Sequence, residues 1–232
     1  MAPRLIVTID GPAGTGKSAA SHMLAERLGI DCLDTGAMYR CVSVLALRTG
    51  ADPSDPRDLM PLIEAHAIDF DWTADPPVVR IDSVPAEQDI RTADVGRTVS
   101  IVAAVPEVRK AMVQAQRDIA AEHPRLVSEG RDQGSVVFPD ADVRFFLTAE
   151  PAVRARRRVA QLEARGWAVD AAAIRSEIEG RDAIDSTRTV GPLVCPEGAI
   201  EIDTTSLDLG EVVDALEREV RNRVGKAVAP PC

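Results

Sequence analysis

The sequence has few aromatic residues, few cysteines and no long apolar stretch, and each shortage limits what the protein can be. Phe, Trp and Tyr together make up 3% of the 232 residues, whereas hydrophobic residues as a whole make up 45%. The core must therefore consist mainly of Val, Leu, Ile and Ala, which is the composition of parallel strands covered on both faces. A chain of this length and hydrophobicity suits one compact domain with a small insertion.

The cysteines and the apolar runs both indicate an intracellular protein. The sequence contains four cysteines, none in C-x-x-C spacing: Cys32, Cys41, Cys195 and Cys232. We therefore expect free thiols in a reducing compartment, without a zinc site or a disulfide framework. The first apolar run, Leu5 to Ile9, is too short for a secretory signal. No stretch approaches the ~20 apolar residues of a membrane span, so we expect a cytoplasmic protein that does not bind membranes.

Basic residues are in the minority. The chain has 27 Lys and Arg against 37 Asp and Glu, which gives a net charge of -10. Such a chain has no general electrostatic attraction for nucleic acid polymers or anionic membranes. Phosphate groups would need a local pocket of arginines, whose guanidinium groups bind phosphate oxygens in pairs. We expect a monomer whose partners are small molecules.

Short apolar strands and amphipathic helices alternate along most of the chain. Strands are predicted at 5–9, 30–33, 126–128, 143–147 and 199–202. Helices are predicted at 18–28, 37–47, 57–66, 92–102, 106–121, 151–165, 170–185 and 209–224. This order predicts an α/β fold in three layers, with about five parallel strands between helices. Only residues 68–90, with alternating runs and Pro-rich turns, predict a small antiparallel insertion.

The most specific motif runs from Gly11 to Ser18 and reads Gly-Pro-Ala-Gly-Thr-Gly-Lys-Ser. It matches G-x-x-x-x-G-K-[ST] at every fixed position, directly follows a predicted strand and opens a predicted helix. Its backbone N–H groups and the helix N-terminus would face a phosphate. Lys17 would reach the terminal phosphates, and the Ser18 hydroxyl would bind the Mg²⁺ that accompanies ATP. The predicted ATP-binding residues here are Gly11, Pro12, Ala13, Gly14, Thr15, Gly16, Lys17, Ser18 and Ala19.

This phosphate loop (residues 11–18) alone does not identify the reaction. The sequence has no Asn-Lys-x-Asp motif, which argues against a GTPase. A motor ATPase would usually be much longer, so a kinase for a small acceptor is favoured by analogy at the level of the fold. Its acceptor stays open at this point, because a nucleotide, shikimate or a sugar acid would all suit. A non-catalytic ATP-binding module is the alternative of a different class.

Further motifs narrow the choice. They are Asp34-Thr-Gly-Ala-Met-Tyr-Arg40, Ser100 with Val102-Ala-Ala-Val-Pro106 and Val108-Arg109, Gly130-Arg-Asp-Gln-Gly134, Val136-Val-Phe-Pro-Asp140, and Arg181-Asp-Ala-Ile-Asp185-Ser-Thr-Arg188. With them the chain resembles, over nearly its whole length, the bacterial cytidylate kinases of the nucleoside monophosphate kinase group. Gln133 is a departure, because an apolar residue is more frequent there. The resemblance implies ATP- and Mg²⁺-dependent phosphorylation of CMP and dCMP.

The resemblance also implies roles for the acceptor-side residues. The implied CMP-binding residues are Thr35, Arg40, Ser100, Arg109, Arg131, Asp132, Arg181, Asp185 and Arg188. Arg40, Arg131 and Arg188 would hold the acceptor phosphate. Ser100, Arg109 and Asp132 would read the base: a carboxylate accepts from the amino group of cytosine, while Arg and Ser donate to its acceptors. That pattern favours cytosine over uracil.

The resemblance implies that the helices within residues 155–190 form a mobile lid. Arg181 and Asp185 would close it and contact the sugar, and Arg157 of the arginine-rich helix would touch ATP, although a solvated basic face is the alternative. The implied catalytic residues are Lys17, Arg131, Arg181 and Arg188. The predicted organisation is a core with the phosphate loop (1–60), an acceptor-side insertion (61–95), further core (96–154), the lid (155–190), and core with the last helix (191–232).

Overall fold

The structure is a computed structural model that describes residues 3–164 and 166–225. The strands are β1 (Leu5–Asp10), β2 (Asp31–Asp34), β3 (Ile68–Asp71), β4 (Val78–Ile81), β5 (Val84–Pro85), β6 (Arg125–Gly130), β7 (Val143–Thr148) and β8 (Ile200–Asp203). The helices are α1 (Lys17–Leu28), α2 (Thr35–Thr49), α3 (Pro56–Ala65), α4 (Ala93–Val102), α5 (Pro106–Glu122), α6 (Pro151–Glu163), α7 (Ala171–Thr187) and α8 (Leu209–Val224). The predicted strands and helices are confirmed, with ends moved by a few residues.

The central sheet places the phosphate loop in the middle of one edge. Its five strands lie in the order β2-β6-β1-β7-β8 and all pair in parallel. Strand β1 is fully buried and lies between β6 and β7. The segments that follow β1, β2 and β6 therefore meet at the carboxyl edge of the sheet, where ligands bind in open α/β sheets. These segments contain three of the motifs found in the sequence.

Helices cover both faces of the sheet, as the α/β prediction requires. One apolar cluster joins Ile6 and Leu126 to residues of α2, α4 and α5, and the other joins Leu5, Val7 and Ile9 to residues of α1 and α8. Successive residues of β1 thus point to opposite layers, which is the two-residue period of a strand. The predicted three-layer fold with about five core strands is confirmed.

The predicted insertion is also confirmed as a separate antiparallel sheet, in the order β3-β4-β5. Phe70 pairs with Val79 across it, and both are buried in the α2-side cluster. Trp72 packs on Phe70 and stacks on His123 with ring centroids 3.9 Å apart, so the insertion is docked on the core. Helix α3 runs across the predicted boundary at 60–61, and the division into domains stays a prediction.

Two further features were expected from composition. In the described part of the chain, no helix is both long and apolar enough to cross a membrane. Cys32, Cys41 and Cys195 carry free thiols, whereas Cys232 lies outside the described residues. The cytoplasmic location stays a prediction.

Candidate active site

The phosphate loop leads from β1 into α1 through a backbone that depends on glycine. Gly11 has a φ of 146°, and a Cβ added there would overlap the carbonyl oxygen of Leu147. Helix α1 begins at Lys17, directly after Gly16, so its first N–H groups face the loop. The ammonium of Lys17 donates to the carbonyl oxygen of Pro12 at 2.8 Å.

Lys17 and Ser18 lie in a buried, polar environment. Burial, together with the positive charge of Arg131, lowers the pKa of Lys17 to about 7. The Ser18 hydroxyl donates to Oε1 of Glu129, at the end of β6, at 2.5 Å. Burial and the neighbouring Asp34 raise the pKa of the Glu129 carboxyl. The loop therefore offers donors and a titratable cation to an anion.

A buried ion pair marks the opposite side of the site. Arg109 of α5 pairs with Asp132, and their side chains are only 1% and 4% exposed. Arg109 also donates to the carbonyl oxygen of Ala103 at 3.2 Å, and its guanidinium lies 5.4 Å from the ring centroid of Tyr39. Two charges removed from water in this way are costly unless they are paired and hydrogen-bonded. The pair is therefore held rigidly.

A second group of charges links the loop after β6 to helix α7. Arg131 Nε donates to Asp185 at 2.9 Å, and Arg188 Nη1 lies 3.6 Å from the same carboxylate. Arg188 Nε donates to the carbonyl oxygen of Gly191 at 2.6 Å. Arg40 donates to the carbonyl oxygen of Ile90 at 3.1 Å. Each of these arginines is thus anchored by at least one contact within the protein.

One cavity of about 420 Å³ joins the two sides. Of the predicted site residues, those that line it are Ala13, Gly14, Gly16, Lys17, Ser18, Ala19, Thr35, Arg40, Ser100, Arg109, Arg131, Asp132, Arg157, Arg181, Asp185 and Arg188, whereas Gly11, Pro12 and Thr15 do not. Nine lining residues are basic and five are acidic, so the cavity has a cationic surplus in a chain of net charge -10. Such a cavity attracts anions.

Some of these cations have unused donors. Three buried guanidinium nitrogens, Arg109 Nε, Arg181 Nε and Arg188 Nη2, have no hydrogen-bond partner within residues 3–164 and 166–225. A buried donor without a partner is costly, and a ligand rich in oxygen atoms would remove that cost.

The side chains of two predicted site residues already donate hydrogen bonds within the protein. The Thr35 hydroxyl donates to the carbonyl oxygen of Glu129 at 2.7 Å. Arg157 donates to Thr204 Oγ1 at 3.0 Å and to the carbonyl oxygens of Thr204 and Leu207 at 2.6 and 3.1 Å. Both still line the cavity, and their roles stay predictions.

Comparison with known proteins gives the family. The family model described as cytidylate kinase matches residues 7–222. The chain belongs to the cytidylate kinase family. Over 225 residues it is 42% identical to the cytidylate kinase of Nocardia farcinica, and the match covers 97% of each chain. It is 47% identical over 227 residues to the bifunctional pantoate ligase/cytidylate kinase of Synechococcus, and the match covers 97% of this chain and 46% of that longer one.

A solved structure supports the fold alone. An uncharacterized protein from Eubacterium ventriosum aligns over 95% of this chain and 99% of its own, with a TM-score of 0.51 and 14% identity.

The structure of this cytidylate kinase family member also shows buried polar residues that the sequence reading left out of the site. Asp10, the last residue of β1, accepts from the N–H groups of Gln133 and Gly134 at 2.8 and 2.7 Å and so shapes the loop that carries Asp132. Burial raises its pKa to about 6. Gln133 accepts from Ser128 at 2.8 Å and donates to Gln116. An acidic residue that ends a buried strand, as Asp10 does, was the available signal.

Proposed function

We propose that the chain transfers the terminal phosphoryl group of ATP to CMP and dCMP. One observation carries this proposal: a single cavity connects the phosphate loop to the buried Arg109–Asp132 pair. ATP would place its phosphates in the loop, and the acceptor would place its base against Arg109 and Asp132. The family match and the names of the relatives point to the same reaction.

The base-reading role rests on the donors and acceptors around Asp132. Asp132 Oδ2 is taken by Arg109, whereas Oδ1 lies 3.9 Å from Arg188 and is free to accept from an amino group. Ser100 is buried in α4 and lines the same cavity as Arg109. Uracil would turn a carbonyl oxygen towards this carboxylate and leave both groups without a donor.

The acceptor phosphate is assigned to Arg40, Arg131 and Arg188, with Arg181 and Asp185 as the lid and sugar contacts. Phosphoryl transfer needs positioning and charge neutralisation more than covalent help from the protein. The attacking phosphate oxygen is already anionic, so no general base is required. Lys17, Arg131, Arg181 and Arg188 would stabilise the charge that spreads over the transferred group.

The residues around Ser18 suit a magnesium ion that is held mainly by the nucleotide. Mg²⁺ prefers oxygen ligands and keeps several waters, and the Ser18 hydroxyl beside Glu129 supplies oxygen at the loop. Within the residues that the structure describes, no cluster of three or more Asp, Glu, His or Cys is arranged for a metal. The Ser18 hydroxyl would help to hold the ion, and the ion would supply positive charge that offsets the charge of the phosphates.

The proposal includes the physical state of the protein. We expect a monomer that binds small nucleotides and no nucleic acid polymer. Nine basic residues line the cavity, whereas the chain as a whole has a net charge of -10 and no general attraction for a polyanion. Light scattering with and without CMP would test the monomeric state.

The first test is ADP production from ATP and Mg²⁺ with one acceptor per reaction: CMP, dCMP, UMP, AMP, GMP, shikimate or gluconate. We expect turnover mainly with CMP and dCMP. Turnover with another acceptor would contradict the assignment of Asp132 while retaining a kinase. No turnover with any acceptor would contradict the proposed function as a whole.

A further inference from the structure

An ion pair between α6 and α7 holds one peptide of the phosphate loop. The N–H of Ala13 donates to Asp182 Oδ1 at 3.2 Å, and Arg154 Nη1 donates to the carbonyl oxygen of Ala13 at 2.9 Å. The same Arg154 nitrogen lies 2.5 Å from Asp182 Oδ2. Both backbone polar groups of Ala13 are therefore bonded to side chains that belong to a single ion pair.

This contact is packed tightly. The side chains of Arg154 and Asp182 are 6% and 19% exposed, and Arg154 Nε also donates to the carbonyl oxygen of Ala149 at 3.1 Å. A Cβ added at Gly14 would lie 3.1 Å from Cβ of Arg154, so α6 and the loop are in close contact. Charge-assisted hydrogen bonds between groups shielded from water are the stronger ones.

Neither Arg154 nor Asp182 lines the cavity, whereas Ala13 does. We therefore expect the pair to act on a bound nucleotide through the loop. Arg181 and Asp185, on the same helix as Asp182, line the cavity on the acceptor side. Helix α7 thus connects directly to both sides of the site.

We propose that Arg154 and Asp182 are positioning residues that fix the Ala13 peptide and couple the phosphate loop to helix α7. The inference rests on the proposed use of the loop for ATP. The Ala13 N–H is taken by Asp182, but a loop fixed in this way keeps its other N–H groups oriented before ATP arrives. Because coupling between sites is reciprocal, ATP in the loop must also stabilise the position of α7 and of Arg181 and Asp185.

Hydrogen exchange tests the coupling without any acceptor. The probe is a non-hydrolysable ATP analogue with Mg²⁺ at saturating concentration, and the readout is amide exchange over 171–187. The variants are Asp182→Ala and Asp182→Asn, which keeps an oxygen that can accept from Ala13 but loses the charge. Glu179→Ala is the matched control, because Glu179 is an exposed acid of the same helix that pairs with exposed Arg175.

We expect the analogue to slow exchange in α7 in the wild type and in Glu179→Ala, less in Asp182→Asn and least in Asp182→Ala. In steady-state kinetics, we expect Asp182→Ala to raise KM for ATP about tenfold, the equivalent of about 1.4 kcal/mol, with KM for CMP changed much less. A merely structural role would not separate the two KM values.

Equal protection of α7 in the wild type and in Asp182→Ala would overturn the inference, and so would an absence of protection in the wild type. Failure of the proposed function is distinguishable from these results. If the wild type transfers phosphate to no acceptor but α7 protection still depends on Asp182, the coupling holds and the proposed reaction is wrong.

Discussion

The two sides of the cavity are built in different ways. The donor side is one contiguous segment, residues 11–18, whose shape comes from glycine backbone and from the start of α1. The acceptor side is assembled from side chains on α2, α4, α5, the loop after β6 and α7. Its members are far apart in sequence, and they are held by ion pairs such as Arg109–Asp132 and Arg131–Asp185.

This difference determines what each side tolerates. On the donor side most of the binding groups are backbone N–H groups, so side-chain changes should matter mainly at Lys17, at Ser18 and at the glycines. On the acceptor side the proposed contacts are side chains in a largely buried network, and a change at one position alters its partners. Substitutions on one side should therefore act mainly on the kinetic constants for their own substrate, unless they disturb the Arg154–Asp182 pair that links the loop to α7.

The largest effect is expected for Lys17→Ala. The variant loses the only cation of the phosphate loop, which would contact the transferred group. We expect kcat to fall by about 100-fold to 1000-fold, the usual loss for one transition-state donor, with little change in CMP affinity. ADP release and calorimetric titration with CMP measure the two quantities. Lys110→Ala, at an exposed position of α5, is the control, and near-normal turnover of Lys17→Ala would contradict the role.

The next largest effect is expected for Asp132→Asn. The amide keeps the size of the side chain but offers a donor in place of an acceptor, so uracil should be better tolerated. We expect the preference for CMP over UMP in kcat/KM to shrink by about tenfold to 100-fold. This estimate rests on the cost of leaving a buried polar group unpaired, about 1–3 kcal/mol. KM for ATP should stay near the wild-type value.

The variant also breaks a buried ion pair. Arg109 would keep its charge without its carboxylate, and a loss of stability of about 3–5 kcal/mol is typical of such a change. Thermal unfolding therefore accompanies the kinetics, with Asp140→Asn as the control because Asp140 is an exposed partner of Arg4. An unchanged CMP preference in folded Asp132→Asn would show that the specificity lies elsewhere.

The success of the predictions made from the sequence also differs between the two sides of the cavity. The phosphate loop, β1 and α1 form from local signals, so their positions were predicted to within a residue or two. The acceptor-side residues were found only through the resemblance, because nothing local indicates that Arg109 and Asp132 meet across 23 positions. The structural roles of Asp10, Glu129 and Asp182 depend on long-range packing. Single-sequence patterns do not give the partners in that packing, even where, as at Asp10, they mark the end of a strand.

A smaller effect, confined to the acceptor side, is expected for Gly191→Ala. Gly191 has a φ of 59°, and an added Cβ would overlap Asp132 Oδ2 and lie 2.6 Å from Arg109 Nη2. The buried pair would have to move, so we expect KM for CMP to rise about three- to tenfold, or about 0.6–1.4 kcal/mol.

Gly198→Ala is a matched control for backbone strain. Its φ is 70°, but its added Cβ would approach Arg144 no closer than 3.5 Å. Both variants therefore have the same strained backbone, and only one disturbs the ion pair. Equal changes in KM for CMP in the two variants, or an equal rise in KM for ATP in Gly191→Ala, would contradict the separation of the two sides.

The smallest expected effect is the uptake of a proton on ligand binding, which should occur only on the ATP side of the cavity. With a pKa of about 7 in the ligand-free protein, Lys17 is largely neutral at pH 8. Nearby phosphates favour its charged form and raise that pKa. Binding of a non-hydrolysable ATP analogue at pH 8 should therefore take up roughly one proton, and much less at pH 6, where Lys17 is already charged. Calorimetry in buffers of different ionisation enthalpy measures this number.

The pKa of Glu129 is also raised, so Glu129 can contribute to the measured proton uptake. Subtracting the uptake measured with Lys17→Ala gives the contribution of Lys17 alone. CMP, in contrast, should bind at pH 8 with much less uptake, because its proposed cationic contacts are arginines and not a lysine. Equal uptake for the two ligands, or uptake that survives in Lys17→Ala, would mean that the titrating group is shared by both sides. The division between a backbone-built donor side with one titratable cation and an acceptor side of fixed charges would then be wrong.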